Sequence, residues 1–80
     1  MNVQKAVAMK VSQLLVKNNM TQYELSNKSG LTKQAISNIL NEKYTTVKFD
    51  TILKLADGFE MDWREFTADK LFNRENLDIE

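Results

Sequence analysis

Apolar residues recur along the first part of the chain at spacings of four and three: Val3, Val7, Val11, Leu14 and Leu15. That spacing lays an apolar stripe along a helix from about Asn2 to Asn18. Asn2 can cap its start, and Asn18-Asn19 suits the left-handed turn that ends it. A second helix is predicted at Thr21, where Thr21-Gln22-Tyr23-Glu24 has the form of a capping box and Met20 and Leu25 occupy staple positions. It stops near Lys28, ahead of Gly30, a residue suited to a turn of positive φ. Thr32 is placed to cap a third helix, Lys33 to Asn41. Its inward residues are Ala35, Ile36, Ile39 and Leu40, and its outward ones Lys33, Gln34, Ser37 and Asn38. Residues Glu42 to Thr46 read as a loop. Phe49, Ile52, Leu53 and Ala56 give the face of a fourth helix, ended by Gly58. Asp62-Trp63-Arg64-Glu65 reads as a second capping box, opening a fifth helix that carries Trp63 and Phe66 and continues towards Leu71 and Phe72.

The predicted fold class is therefore all-α, a compact bundle of about five short helices. Residues 1–74 form the domain, and 75–80 an acidic tail expected to fray. The absence of proline and the presence of only two glycines, in 80 residues, agree with a helical chain. A chain of this length buries only about 60% of its unfolded surface, so its stability margin is thin. There is no cysteine and no histidine. That excludes disulfides, Cys/His zinc sites and Cys- or His-dependent catalysis, so no metal and no cofactor is expected. A chain free of cysteine fits a reducing cytoplasm. No apolar run reaches the roughly 18 residues of a membrane span, and Met1 to Met9 lacks the pattern of a signal peptide.

Formal net charge is zero, but its distribution is uneven. Residues 1–48 carry seven lysines against Glu24 and Glu42, a net +5, while residues 49–80 carry four basic and nine acidic residues, a net −5. A basic half beside an acidic half fits a polyanionic partner on one face, or two ordinary solvated surfaces.

Between Thr21 and Asn41 two short helices flank a turn at Gly30, the plan of a helix-turn-helix. Leu25, Leu31, Ile36 and Ile39 supply the apolar lock, Ser26 is small where the helices would cross, and Gly30 sits in the turn. The run Thr21-Gln22-x-x-Leu25-Ser26-x-x-x-Gly30-Leu31-Thr32-x-x-x-Ile36-Ser37-x-Ile39 resembles the phage repressor and Cro-type helix-turn-helix family, also called XRE. Phe49-x-x-Ile52-Leu53-x-x-Ala56 and Phe59-x-Met61 are similar to its fourth helix and exit. The likeness covers roughly residues 5–66. Ser26 stands where alanine is usual, and Leu40 where many members have glutamate.

The resemblance implies a lambda repressor-like DNA-binding fold and a small transcriptional regulator, most simply a repressor, binding double-stranded DNA. It assigns Gln22 to a phosphate, Thr32 to a backbone-contacting cap, and Lys33, Gln34, Ser37 and Asn38 to base edges in the major groove. The chemistry of those side chains agrees, since lysine donates to guanine and glutamine or asparagine can bond adenine bidentately. Asn41 and Lys43, just past the third helix, are placed to reach phosphate. Tyr23 and Tyr44 read as partly packed aromatics. Homodimerisation is expected through surfaces near the fifth helix, with Trp63, Phe66, Leu71 and Phe72 as candidates because they exceed what so small a core needs. Two other readings stand beside this one. An antitoxin or adaptor on the same fold would bind a protein partner, and would show Trp63, Phe66, Leu71 and Phe72 as a broad exposed patch. An enzyme would need a nucleophile–base pair or metal cluster that is not visible.

Overall fold

A computed structural model describes residues 1–79; Glu80, the last residue of the acidic tail, lies outside it. Among the described residues there are five α-helices and no strand: α1 (Val3–Lys17), α2 (Gln22–Ser29), α3 (Lys33–Leu40), α4 (Phe49–Gly58) and α5 (Trp63–Phe66). Two 3₁₀ turns follow, Lys70–Phe72 and Arg74–Asn76.

The helix starts follow from side-chain caps. Asn2 Oδ1 accepts from the Lys5 amide (2.8 Å), and Thr32 Oγ1 from the Ala35 amide (3.0 Å). The capping box of α2 is complete: Thr21 Oγ1 accepts from the Glu24 amide (3.1 Å), and Glu24 Oε1 accepts from the Thr21 amide (3.3 Å). Each bond satisfies one of the amides that a helix start leaves unpaired. At α5 the expected box is replaced by a local clamp. Asp62 Oδ1 accepts from both the backbone N–H and the Nε of Arg64 (2.8 and 3.1 Å). These two bonds, the backbone one first, hold the Asp62 carboxyl below its ordinary pKa.

The ends of α1 and α2 fall at Asn19 and Gly30 as the sequence predicts, whereas α3 and α4 end through residues it does not mark. Glycine closes α2 alone, where Gly30 has φ +79°. Asn19, Glu42 and Glu60 take positive φ (50°, 55° and 56°) after α1, α3 and α4. At each, the next amide bonds back over the end of the helix: Met20 to Leu15, Lys43 to Asn38 and Met61 to Ala56 (2.9, 2.9 and 3.0 Å). This is the Schellman arrangement, built three times without glycine. Gly58, expected to end α4, is its last helical residue and is buried. It is small because α2 passes so close. A Cβ there would lie 2.7 Å from Leu25 Cδ1 and 2.9 Å from Ser29 Cβ.

The core joins all five helices. Val7, Val11 and Leu14 come from α1, Leu25 from α2, Ile36 and Ile39 from α3, and Ile52, Leu55 and Ala56 from α4, with Phe59 and Phe66 closing it. Fully burying a side chain such as Leu25, Ile36 or Leu55 stabilises by about 1.5–3 kcal/mol each. Four inward assignments change. Leu55, not Leu53, is the fully buried leucine of α4, and Phe49 is 55% exposed. Ala35 and Leu40 are half-buried rather than buried.

Past α5 the chain turns back along α1. Phe72 packs on Phe66, with ring centroids 5.9 Å apart. Lys10 Nζ pairs with Asp69 Oδ2 at 3.1 Å. Asp69 also accepts from the Leu71 amide (3.0 Å), and that bond, ahead of Lys10, lowers its pKa. The tail, expected to fray, meets the start of the chain, where Met1 bonds Asn76 and Asp78 through its backbone (2.8 Å each).

Candidate nucleic-acid interface

α2 and α3 are locked into a helix-turn-helix by apolar packing and by two serines. Leu25 and Ile36 are fully buried and Ile39 is 4% exposed. Ser26 Oγ donates to the Leu31 carbonyl (2.7 Å), and the Leu31 amide donates to Ser29 Oγ (3.1 Å). Both bonds brace the turn at Gly30. The tight helix crossing assigned to Ser26 belongs to Ser29, which is buried against Gly58. Ser26 is half-buried and serves the turn.

With Ile36 and Ile39 held inward, the rest of α3 has one direction left. Lys33 and Gln34 are exposed, and Ser37 and Asn38 are half-buried at the same helical sector, at offsets of one, four and five residues. The structure therefore gathers all four candidate base-reading residues on one surface. They are not independent side chains. Gln34 Nε2 donates to Asn38 Oδ1 (2.9 Å), and Asn41 Nδ2 donates to Ser37 Oγ (3.3 Å). Asn41 caps α3, and the Schellman bond from the Lys43 amide to Asn38 fixes the chain just beyond it.

Around this surface lie the candidate phosphate ligands. Gln22 is exposed at the first position of α2, and Thr32 is the exposed N-cap of α3. Both helix starts carry free amides and positive dipole ends, which favour anions. Among the described residues Lys33, Lys43 and Lys48 have no carboxylate within 4.0 Å, whereas Lys28 lies 3.7 Å from Glu60. Tyr44 was missed. It is 40% exposed, and its hydroxyl accepts from Asn38 Nδ2 at 3.4 Å, so it belongs to the polar surface of α3. Its place directly after Lys43, past the polar end of α3, is the signal that could have found it. Tyr23 is likewise exposed, at 61%.

A family model for the Cro/C1-type helix-turn-helix DNA-binding domain matches residues 10–69. The chain belongs to that family. No curated protein and no solved structure matches it. The family is one of DNA-binding domains. No helix among the described residues is long and apolar enough to cross a membrane, and no cluster of acidic side chains there could hold a metal ion.

The four candidate dimer residues do not form one surface in this Cro/C1-type domain. Phe66 is fully buried and belongs to the core, a correction to its assignment as an interface residue. Phe72 is half-buried against it, and Leu71 is half-buried. Trp63 alone of the four is exposed, at 37%, and it meets Phe49 edge-on with centroids 5.1 Å apart. Arg64 lies over its ring at 5.9 Å.

Proposed function

We propose that this Cro/C1-type domain is a sequence-specific transcriptional regulator that seats α3 in the major groove of double-stranded DNA. The observation that carries the reading is the amide-rich face Gln34–Asn38, presented by a helix whose opposite face is sealed into the core. A groove about 12 Å wide admits such a helix, and base edges there offer the donors and acceptors these side chains complement. Gln22, Thr32, Asn41 and Lys43 supply phosphate contacts that set the register. Repression is the simplest outcome, since it requires only occupancy of a promoter, and the cytoplasm is the matching location. The role is one of binding rather than catalysis.

The two classes of contact fail differently, and that is the test. Gln34→Ala is expected to relax preference at one base-pair position and to cost about 1–3 kcal/mol on the best site. Gln22→Ala is expected to weaken all sequences nearly alike, because phosphate is the same everywhere. Both variants are measured against sites selected from a random duplex pool and their single-base variants. Equal loss at every site for Gln34→Ala, or a changed base preference for Gln22→Ala, would sink the proposed docking.

A homodimer fits this reading, because a two-fold operator presents two half-sites one turn of DNA apart. With Phe66 buried, the surface that suits a second copy is the exposed Phe49–Trp63 pair on α4 and α5. Sedimentation of the parent is expected to show a dimer, and Trp63→Lys a monomer of unchanged fold. A dimer that survives Trp63→Lys and Phe49→Lys together places the contact elsewhere. The adaptor reading required a broad patch of Trp63, Phe66, Leu71 and Phe72, and the burial of Phe66 removes its centre.

A further inference from the structure

Three polar side chains form a chain of hydrogen bonds along α3 and into the loop after it. Gln34 Nε2 donates to Asn38 Oδ1 (2.9 Å), and Asn38 Nδ2 donates to the Tyr44 hydroxyl (3.4 Å). Gln34 and Asn38 are four residues apart, so they are neighbours on the helix surface. Tyr44 is brought to Asn38 by the Schellman closure of α3, in which the Lys43 amide bonds the Asn38 carbonyl. It stands next to Lys43, whose charge is unpaired among the described residues.

Each amide has a donor end and an acceptor end, and a phenol hydroxyl can both give and accept. Such a chain can run in either of two directions. In the observed direction Gln34 spends one N–H on Asn38 and keeps its oxygen and its other N–H. That acceptor–donor pair complements adenine N6 and N7. In the reverse direction Tyr44 donates to Asn38 Oδ1, Asn38 donates to Gln34 Oε1, and Gln34 keeps two N–H groups. Two donors complement guanine O6 and N7. The face alone therefore leaves adenine and guanine poorly separated. A phosphate oxygen, by contrast, only accepts. If the Tyr44 hydroxyl gives its proton to a phosphate, it has only lone pairs left for Asn38, and the observed direction is imposed on the whole chain.

On the reading of α3 as the helix that enters the major groove, we propose that Tyr44 is a specificity-determining residue. Its hydroxyl, bonded to a DNA phosphate, sets the direction of the Tyr44–Asn38–Gln34 chain and makes Gln34 a reader of adenine rather than guanine. Asn38 is then the positioning residue between them. Specificity at one base pair thus depends on a phosphate contact that by itself carries no sequence information.

The experiment uses the full chain and duplexes selected from a random pool, with each base pair of the selected site then varied singly. The parent is expected to prefer adenine at the position that Gln34→Ala relaxes. In Tyr44→Phe the adenine-over-guanine ratio at that position should fall roughly ten-fold, with preferences elsewhere and the thermal midpoint unchanged. In the double variant Tyr44→Phe with Asn38→Asp, the carboxylate can only accept from Gln34. It should restore the adenine preference, while its charge lowers affinity for all duplexes. A uniform loss on Tyr44→Phe makes Tyr44 a plain phosphate ligand and overturns the proposal. So does an unchanged ratio, or a parent that prefers guanine there. A parent that binds every duplex alike overturns the reading of α3 itself.

Discussion

Replacing Phe66 by alanine is expected to leave the domain largely unfolded near 37 °C. The ring is fully buried and packs on Phe72 beyond the end of α5. Truncating a buried phenylalanine costs about 3–5 kcal/mol, through lost transfer energy and the cavity left behind. A domain this small has a total stability near the lower end of roughly 5–15 kcal/mol, so most of it is consumed. The melting temperature should fall by roughly 12–40 °C, at about 4–8 °C per kcal/mol for a domain of this size. The damage should also spread. Phe72 loses the surface that holds the 70–72 turn, and with it the placement of Asp69 beside Lys10. Calorimetry or thermal circular dichroism measures the effect directly. A variant that melts within a few degrees of the parent, but no longer associates, would return Phe66 to the interface. Trp63→Ala is the contrast: its side chain is more than a third exposed, so the loss should be well below that of Phe66→Ala.

That contrast marks what short-range patterns reveal and what they do not. The starts of α1, α2 and α3 were legible because each is fixed by residues within three positions: Asn2 with Lys5, Thr21 with Glu24, Thr32 with Ala35. The ends were less so. Nothing in the local sequence marks Glu42 or Glu60 for positive φ, and Gly58 looks like a terminator although its smallness answers to α2. Periodicity also left α4 ambiguous. Ile52, Leu53, Leu55 and Ala56 allow more than one apolar stripe, and the packing of α2 and α5 on α4 selects the one containing Leu55. The same long-range packing decides that Phe66 is core while Trp63 is surface. At the site, the outward face of α3 was legible because Ile36 and Ile39 fix its rotation. The link from Asn38 to Tyr44 was not, since it depends on the path of the chain after α3.

Affinity for duplex DNA is expected to fall steeply with salt, although the chain as a whole is neutral. Net charge does not set that dependence. What counts is how many phosphates are neutralised where the protein touches DNA, because each releases condensed counterions. Lys33 lies on α3, Lys43 just after it and Lys48 at the start of α4, none with a carboxylate within 4.0 Å among the described residues. The acidic surplus belongs to residues 49–80, and part of it is occupied within the domain, as with Asp69 on Lys10 and Glu60 on Lys28. Three to five neutralised phosphates would give a log–log slope of roughly −3 to −5 per protomer. Between 50 and 200 mM salt the affinity then drops roughly 60- to 1,000-fold. Lys43→Gln should reduce the slope by about one and leave base preferences in place, the signature of a phosphate ligand. Fluorescence anisotropy across a salt series, on the selected site and on an unrelated duplex, measures both quantities. A slope near zero on the selected site would mean that the lysines around α3 do not meet phosphate, and the docking of that helix would fall with them.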